Sequence, residues 1–126
     1  MDRRKTGAEG EAVARRFLEQ IGFRIVEENF ACPLGEIDLI AEDKDVLVFV
    51  EVKARRSVRF GGPAEAVHAK KQRQILRVAE AYLREHRLRV PCRVDVVAVE
   101  FSPHGEPKVE LIRNAVQGTG ATWGVA

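Results

Sequence analysis

The chain has 126 residues, 45% of them hydrophobic and 32% charged, with a formal net charge of +2. These values describe one soluble globular domain long enough to bury a core, and no apolar run approaches the ~20 residues of a membrane span. Cys32 and Cys92 lack any Cys-x-x-Cys spacing, and His68, His86 and His104 are scattered, so neither a disulfide framework nor a zinc site is expected.

The opening Met-Asp-Arg-Arg-Lys-Thr-Gly leads into a charged amphipathic segment instead of an apolar leader, so a cytoplasmic protein is expected. Thr6 to Ile21 reads as a helix with an apolar stripe of Ala14, Phe17, Leu18 and Ile21, closed by Gly22 as a C-cap. Glu11 lies three residues before Ala14 and seven before Leu18, on the buried side of that stripe. Spacing alone fits equally an acid placed early in the helix to suit its dipole. Phe23 to Asn29 reads as a strand and Ala31 to Leu34 as a connector.

Gly35-Glu36-Ile37-Asp38-Leu39-Ile40 and Val46 to Arg55 form the next two strands, joined by the turn-forming Glu42-Asp43-Lys44-Asp45. The second of them is too apolar to be exposed on either face, yet it contains Glu51 and Lys53. An unpaired buried charge costs several kcal/mol, so a strand that keeps two of them is expected to use them. Alternation puts Glu51 and Lys53 on one face with Leu47 and Phe49, and Val46, Val48, Val50 and Val52 on the other. In the preceding strand it puts Glu36 and Asp38 on one face, Ile37 and Leu39 on the other. A hairpin centred between Lys44 and Asp45 sets Asp38 directly across from Glu51. Cross-strand neighbours have Cβ atoms ~5 Å apart, where like charges repel. A divalent cation removes that repulsion, and carboxylate oxygens suit Mg2+ or Mn2+. A one-residue slip would part the two acids onto opposite faces.

Ser57 to Pro63 is a Gly-rich loop that fits no nucleotide-binding fingerprint. A second helix opens at Pro63 or Ala64 and ends near His86, with a stripe of Ile75, Val78, Ala79, Tyr82 and Leu83. Lys71 continues that stripe toward the helix start, either to reach the carboxylates or to snorkel to water. Arg93 to Phe101 reads as a buried strand and Val109 to Ile112 as a short last one, with a Gly-rich tail over 117–126. The order is helix, three strands, helix, two strands: an α/β domain over residues 1–116 with a mixed sheet covered by helices. From Lys53 to Arg93 there are twelve Lys or Arg against three Glu, so this segment carries +9 and the remainder −7. A basic segment beside a carboxylate cluster suits a polyanion approached through its phosphates. Arg55, Arg56, Arg59 and Arg73 are the candidate contacts. The same run would also serve as an ordinary solvated helix face.

Asp38 followed by Glu51-Val52-Lys53 resembles the PD-(D/E)XK nuclease signature, with Ile37 where the archetype has Pro. Gly10-Glu11, Asn29, Gly35 to Ile40, Val48 to Arg55, Lys71 and Cys92 to Val97 together resemble the YraN-type family of small bacterial proteins, over about residues 7–115. The helix Glu, the Asp and the Glu-x-Lys also follow the order of archaeal Holliday junction resolvases. These resemblances imply a restriction-endonuclease-like core. They imply a catalytic set of Glu11, Asp38, Glu51, Lys53 and Lys71, and Mg2+ or Mn2+ on Asp38, Glu51 and Glu11. The implied partner is nucleic acid, DNA ahead of RNA, and the implied assembly a homodimer. The alternative expectation is a non-catalytic nucleic-acid-binding accessory with a vestigial site.

Overall fold

The computed structural model describes residues 3–56 and 69–115. Its elements are α1 (Arg3–Gln20), β1 (Arg24–Cys32), β2 (Gly35–Asp43), β3 (Val46–Arg55), α2 (Ala69–Glu85), β4 (Cys92–Glu100) and β5 (Lys108–Ile112). The five strands form one sheet in sequence order, parallel between β3 and β4 and antiparallel elsewhere. Parallel neighbours need a crossover, and α2 lies within it. The result is the mixed, helix-flanked α/β architecture expected of a restriction-endonuclease-like core.

β3 is the spine. Val48, Phe49 and Val50 are all fully buried, because α1 covers one face of the sheet and α2 the other. On the α1 side Ala14 and Leu18 pack with Leu39, Ala41, Val48, Val50, Val97 and Val99. On the α2 side Ile75, Val78, Ala79, Tyr82 and Leu83 pack with Ile40, Leu47, Phe49 and Val94. Tyr82 stands edge-on to both Phe30 and Phe49, at 5.0 and 5.8 Å between ring centres.

Both helices end in the same way. Phe23 N–H donates to Leu18 O and Gly22 N–H to Glu19 O, with Gly22 at φ 103°. Leu88 and Arg87 repeat this pattern on Leu83 and Arg84, with Arg87 at φ 54°. Each is a Schellman cap, which satisfies terminal carbonyls.

Four local expectations change. Ile21 is exposed, because the buried seam of α1 steps by four through Thr6, Gly10, Ala14 and Leu18, and Ile21 falls beside it. β1 continues through Ala31 and Cys32, leaving only Pro33 and Leu34 as connector. Asp43 pairs with Val46, so the hairpin turn is Lys44-Asp45 alone, with Lys44 at φ 57°. Ile37 and Leu39 do not share a face: Ile37 lies in the α2-side core and Leu39 in the α1-side core. The cause is in the partner strand. Asn29 takes φ 54° between the pairs Glu28–Leu39 and Phe30–Ile37, and the strand pair changes face there. The start of the second helix and the Gly-rich loop lie outside the described residues, as does the tail.

Candidate active site

The β2–β3 ladder runs from Asp43–Val46 to Leu39–Val50. One step further in this register is Asp38 opposite Glu51, as a hairpin centred between Lys44 and Asp45 requires. At that step a side chain replaces the backbone partner: Asp38 Oδ2 accepts the Val52 N–H at 2.8 Å. Here a cleft of about 430 Å³ opens, and Glu11, Asp38, Glu51, Lys53 and Arg55 line it.

Glu51 is only 8% exposed. Burial, and then the adjacent Asp38 charge, push its carboxyl up to about 7, against the opposing pull of Lys71 and Lys53. Burial raises Asp38 as well, although the Val52 N–H favours its charged form. A hydrogen bond joins the two carboxyls. Two carboxylates in one half-buried site cannot both ionise cheaply, so the cation-free pair holds a proton near neutrality.

The remaining candidates arrive from both sides of the sheet. Lys71 reaches over from α2, with Nζ 3.6 Å from Glu51 Oε2. Lys53 follows Glu51 by one strand period and lines the same cleft. Glu11 comes from α1, half-buried, its carboxyl raised by burial and by Asp38. All five candidate catalytic residues therefore converge where β2 and β3 part.

Two residues that place these groups carry a weaker sequence signal. A Cβ built on Gly10 would collide with Ala54 Cβ, so glycine lets α1 close onto the end of β3 and deliver Glu11. A glycine inside a helix pattern is the available clue. Asn29 hydrogen-bonds Glu11 through its side chain. Asparagine is among the few residues that accept a left-handed backbone, so Asn29 both turns the strand and holds the acid.

Among the described residues no three His, Cys, Asp or Glu form a cluster fit to hold a metal. Asp38 and Glu51 do form a pair, with Glu11 outside it. Mg2+ commonly takes one or two carboxylates and fills its other positions with water and substrate phosphates. The pair fits that pattern.

The four basic candidates separate. Arg56 is engaged within the protein: it donates to Thr6 Oγ at 3.3 Å and Glu9 Oε1 at 3.1 Å, and lies over the Phe101 ring at 5.1 Å. Arg55 and Arg56 both line the cleft, and Arg55 Nη2 is buried without a hydrogen-bond partner among the described residues. Arg73 is exposed on α2. Arg59 lies outside the described residues.

A family model for the uncharacterised protein family UPF0102 matches residues 10–99, the span that holds every one of these site residues. The chain belongs to UPF0102. Among its relatives, the UPF0102 protein of Symbiobacterium thermophilum is 51% identical over 113 residues, 89% of this chain and 96% of the relative. The UPF0102 protein of Arthrobacter sp. (strain FB24) is 49% identical over 108 residues, covering 85% and 92%. That of Dehalococcoides mccartyi is 41% identical over 116 residues, covering 91% and 95%. The YraN-type resemblance thus holds along the UPF0102 chain from α1 through β4. No helix among the described residues is long and apolar enough to cross a membrane.

Proposed function

We propose that this UPF0102 protein is a metal-dependent phosphodiesterase that cleaves nucleic acid, DNA ahead of RNA. One observation carries the reading: Asp38 and Glu51 are held together on adjacent strands in a half-buried cleft, with Lys53 and Lys71 at its edge. A purely structural carboxylate pair would be matched by cations in close hydrogen bonds. Here, among the described residues, the ion pair to Glu51 is from Lys71 at 3.6 Å, and the acid remains hard to ionise.

Asp38 and Glu51 would hold Mg2+ or Mn2+, which when bound polarises a phosphate and acidifies water. The Val52 N–H fixes Asp38 Oδ2, and with it the orientation of a carboxylate that lines the cleft. Lys53 orients the attacking water or offsets the charge that grows on the phosphoryl oxygens. Lys71 holds Glu51 and supplies a second positive charge at the same edge. Glu11, outside the pair, orders water at the site through its carboxylate, and Asn29 holds Glu11.

A second reading is a non-catalytic nucleic-acid-binding accessory, favoured by the absence of a three-ligand cluster among the described residues. A titration of Mg2+ and Mn2+ with junction, flap, single-strand and duplex substrates separates the two, with Glu51→Ala as control. Metal-dependent cleavage lost in Glu51→Ala supports the enzyme. Binding without cleavage under any metal supports the accessory.

A further inference from the structure

The first half of α2 presents Lys70, Lys71, Arg73 and Arg77, with no acid between Ala69 and Val78. Lys70, Arg73 and Arg77 stand three and four residues apart, on one stripe. Like charges at this spacing repel. A helix face kept for solubility would interleave acids, as α2 itself does later with Glu80 and Glu85. Among the described residues none of these three cations pairs with a carboxylate, and Lys71 alone makes an ion pair, to Glu51.

The stripe also has shape. Leu34, Lys70, Lys71, Arg73, Gln74 and Arg77 line a groove of about 610 Å³. Its far wall is the β1–β2 turn, tied to the helix by Gln74 Nε2, which donates to Leu34 O at 3.3 Å. Gly35, at φ 139°, packs against the end of the Gln74 side chain. The β1–β2 turn thus faces a row of cations that pair with no carboxylate among the described residues. Lys71 belongs to both places: it lines the groove and its ammonium meets Glu51.

We infer that this groove is the track for one sugar–phosphate strand of nucleic acid, leading across Arg77, Arg73 and Lys70 to the Glu51 cleft by way of Lys71. The inference rests on the phosphodiesterase reading in taking the bound polyanion to be the substrate. Lys70 to Arg77 covers about 10 Å of helix axis, and the long side chains of the three cations extend that reach to successive phosphates of one strand. The contacts are to backbone, so the track reads no sequence.

The test is binding in EDTA, where no cleavage can intervene, to a fluorescent 20-nucleotide single strand and to the matching duplex across a salt series. The triple variant Lys70→Ala, Arg73→Ala, Arg77→Ala is compared with Arg16→Ala, Arg84→Ala, Lys108→Ala, which removes three exposed cations elsewhere. Alanine favours helix, and a Lys70→Gln, Arg73→Gln, Arg77→Gln version repeats the test should the alanine variant melt early. Removing three phosphate contacts lowers the slope of log K against log salt by about 2 on the single strand and about 3 on the duplex. The control triple leaves the slope within about one contact of wild type. An unchanged slope in the α2 triple, or an equal drop in both triples, overturns the track and leaves the phosphodiesterase reading standing. A track that binds as described in a protein that cleaves nothing with Mg2+ or Mn2+ overturns the phosphodiesterase reading instead.

Discussion

The sheet holds two acidic pairs, and their surroundings are opposite. Asp43 and Asp95 are bound by arginine: Arg93 Nη2 lies 2.8 Å from Asp43 Oδ2, Arg93 Nε 3.0 Å from Asp95 Oδ1, and Arg113 Nη1 2.9 Å from Asp43 Oδ2. Asp95 also accepts the Asn114 N–H at 2.8 Å, which ties the end of β5 back to β4. Both guanidinium groups lie over the Phe23 ring. The hydrogen bond from Arg93 lowers the Asp43 carboxyl. Among the described residues Asp38 accepts the Val52 N–H and Glu51 meets Lys71 at 3.6 Å, with Lys53 also pulling its carboxyl down, yet burial raises both carboxyls. Equal residue types in one sheet thus divide by compensation. The first pair stabilises the fold, while the second leaves a demand for positive charge that a cation can meet.

The largest effect that would break this contrast is on catalysis. Glu51→Gln should lower metal-dependent cleavage by about 10²–10³-fold, while Asp95→Asn retains wild-type cleavage per folded molecule. Single-turnover rates on the preferred substrate measure both, and equal losses would erase the distinction.

Stability should respond the other way round. Asp95→Asn leaves Arg93 with one buried partner fewer and should cost about 3 kcal/mol, read as a lower urea midpoint at unchanged slope. Glu51→Gln should stabilise the metal-free protein at pH 8. A destabilised Glu51→Gln at that pH would sink the claim that the site is under-compensated.

The pH dependence sharpens the comparison further. The folded protein holds the Glu51 proton up to about 7, against an ordinary value of 4.5. The native state therefore binds more protons in that window, and stability falls as pH rises through it, by on the order of 2–3 kcal/mol. Asp43 is shifted the opposite way, so its contribution is present above its ordinary value of 3.8 and is lost as pH falls below it. Urea midpoints in EDTA should show Glu51→Gln flattening the limb between pH 4.5 and 7, and Asp43→Asn flattening only the acid limb. The same limb flattened by both variants would show that the pairs do not differ.

The smallest effect separates the two roles of Asn29. Asn29→Gly keeps the left-handed backbone and deletes the bond to Glu11, whereas Asn29→Ala also forces the backbone, at a cost of about 1–2 kcal/mol. Both should weaken Mn2+ binding measured by calorimetry, with only the alanine variant lowering the melting temperature clearly. Unchanged Mn2+ affinity in Asn29→Gly would leave Asn29 a purely backbone role.

The contrast between the acidic pairs also marks what was legible in the sequence. The element order and the register of the β2–β3 hairpin followed from periodicity and a short turn, because both are local. Alternation along β3 put Glu51 and Lys53 on one face, and the hairpin register set Asp38 beside Glu51. Yet the signal that singled out Glu51, an acid inside a valine-rich strand, is equally present at Asp95 in Val94-Asp95-Val96. Nothing local distinguishes them. Arg113 is distant in sequence from the Asp43 it binds, and such neutralising partners are visible only after folding. The face change at Asn29 escaped for a related reason: strict alternation assumes an unbroken pleat, and one left-handed residue in the partner strand cancels it. The hydrogen bonds of Arg56, a candidate contact in the sequence, were likewise invisible there, because its partners Thr6 and Glu9 lie 50 and 47 residues earlier in the chain.

The bond from Val52 to Asp38 makes Asp38 part of the sheet as well as part of the site. A lineage that abandoned the chemistry would still have reason to keep Asp38, since its loss strands a backbone amide where β2 leaves β3. It would have the opposite incentive at Glu51, whose ionisation works against the fold and whose replacement by glutamine relieves it. Decay of this site should therefore begin at Glu51 and reach Asp38 late. On the proposed chemistry, the presence of Glu51 in a UPF0102 chain is accordingly a better marker of a working cleft than the presence of Asp38.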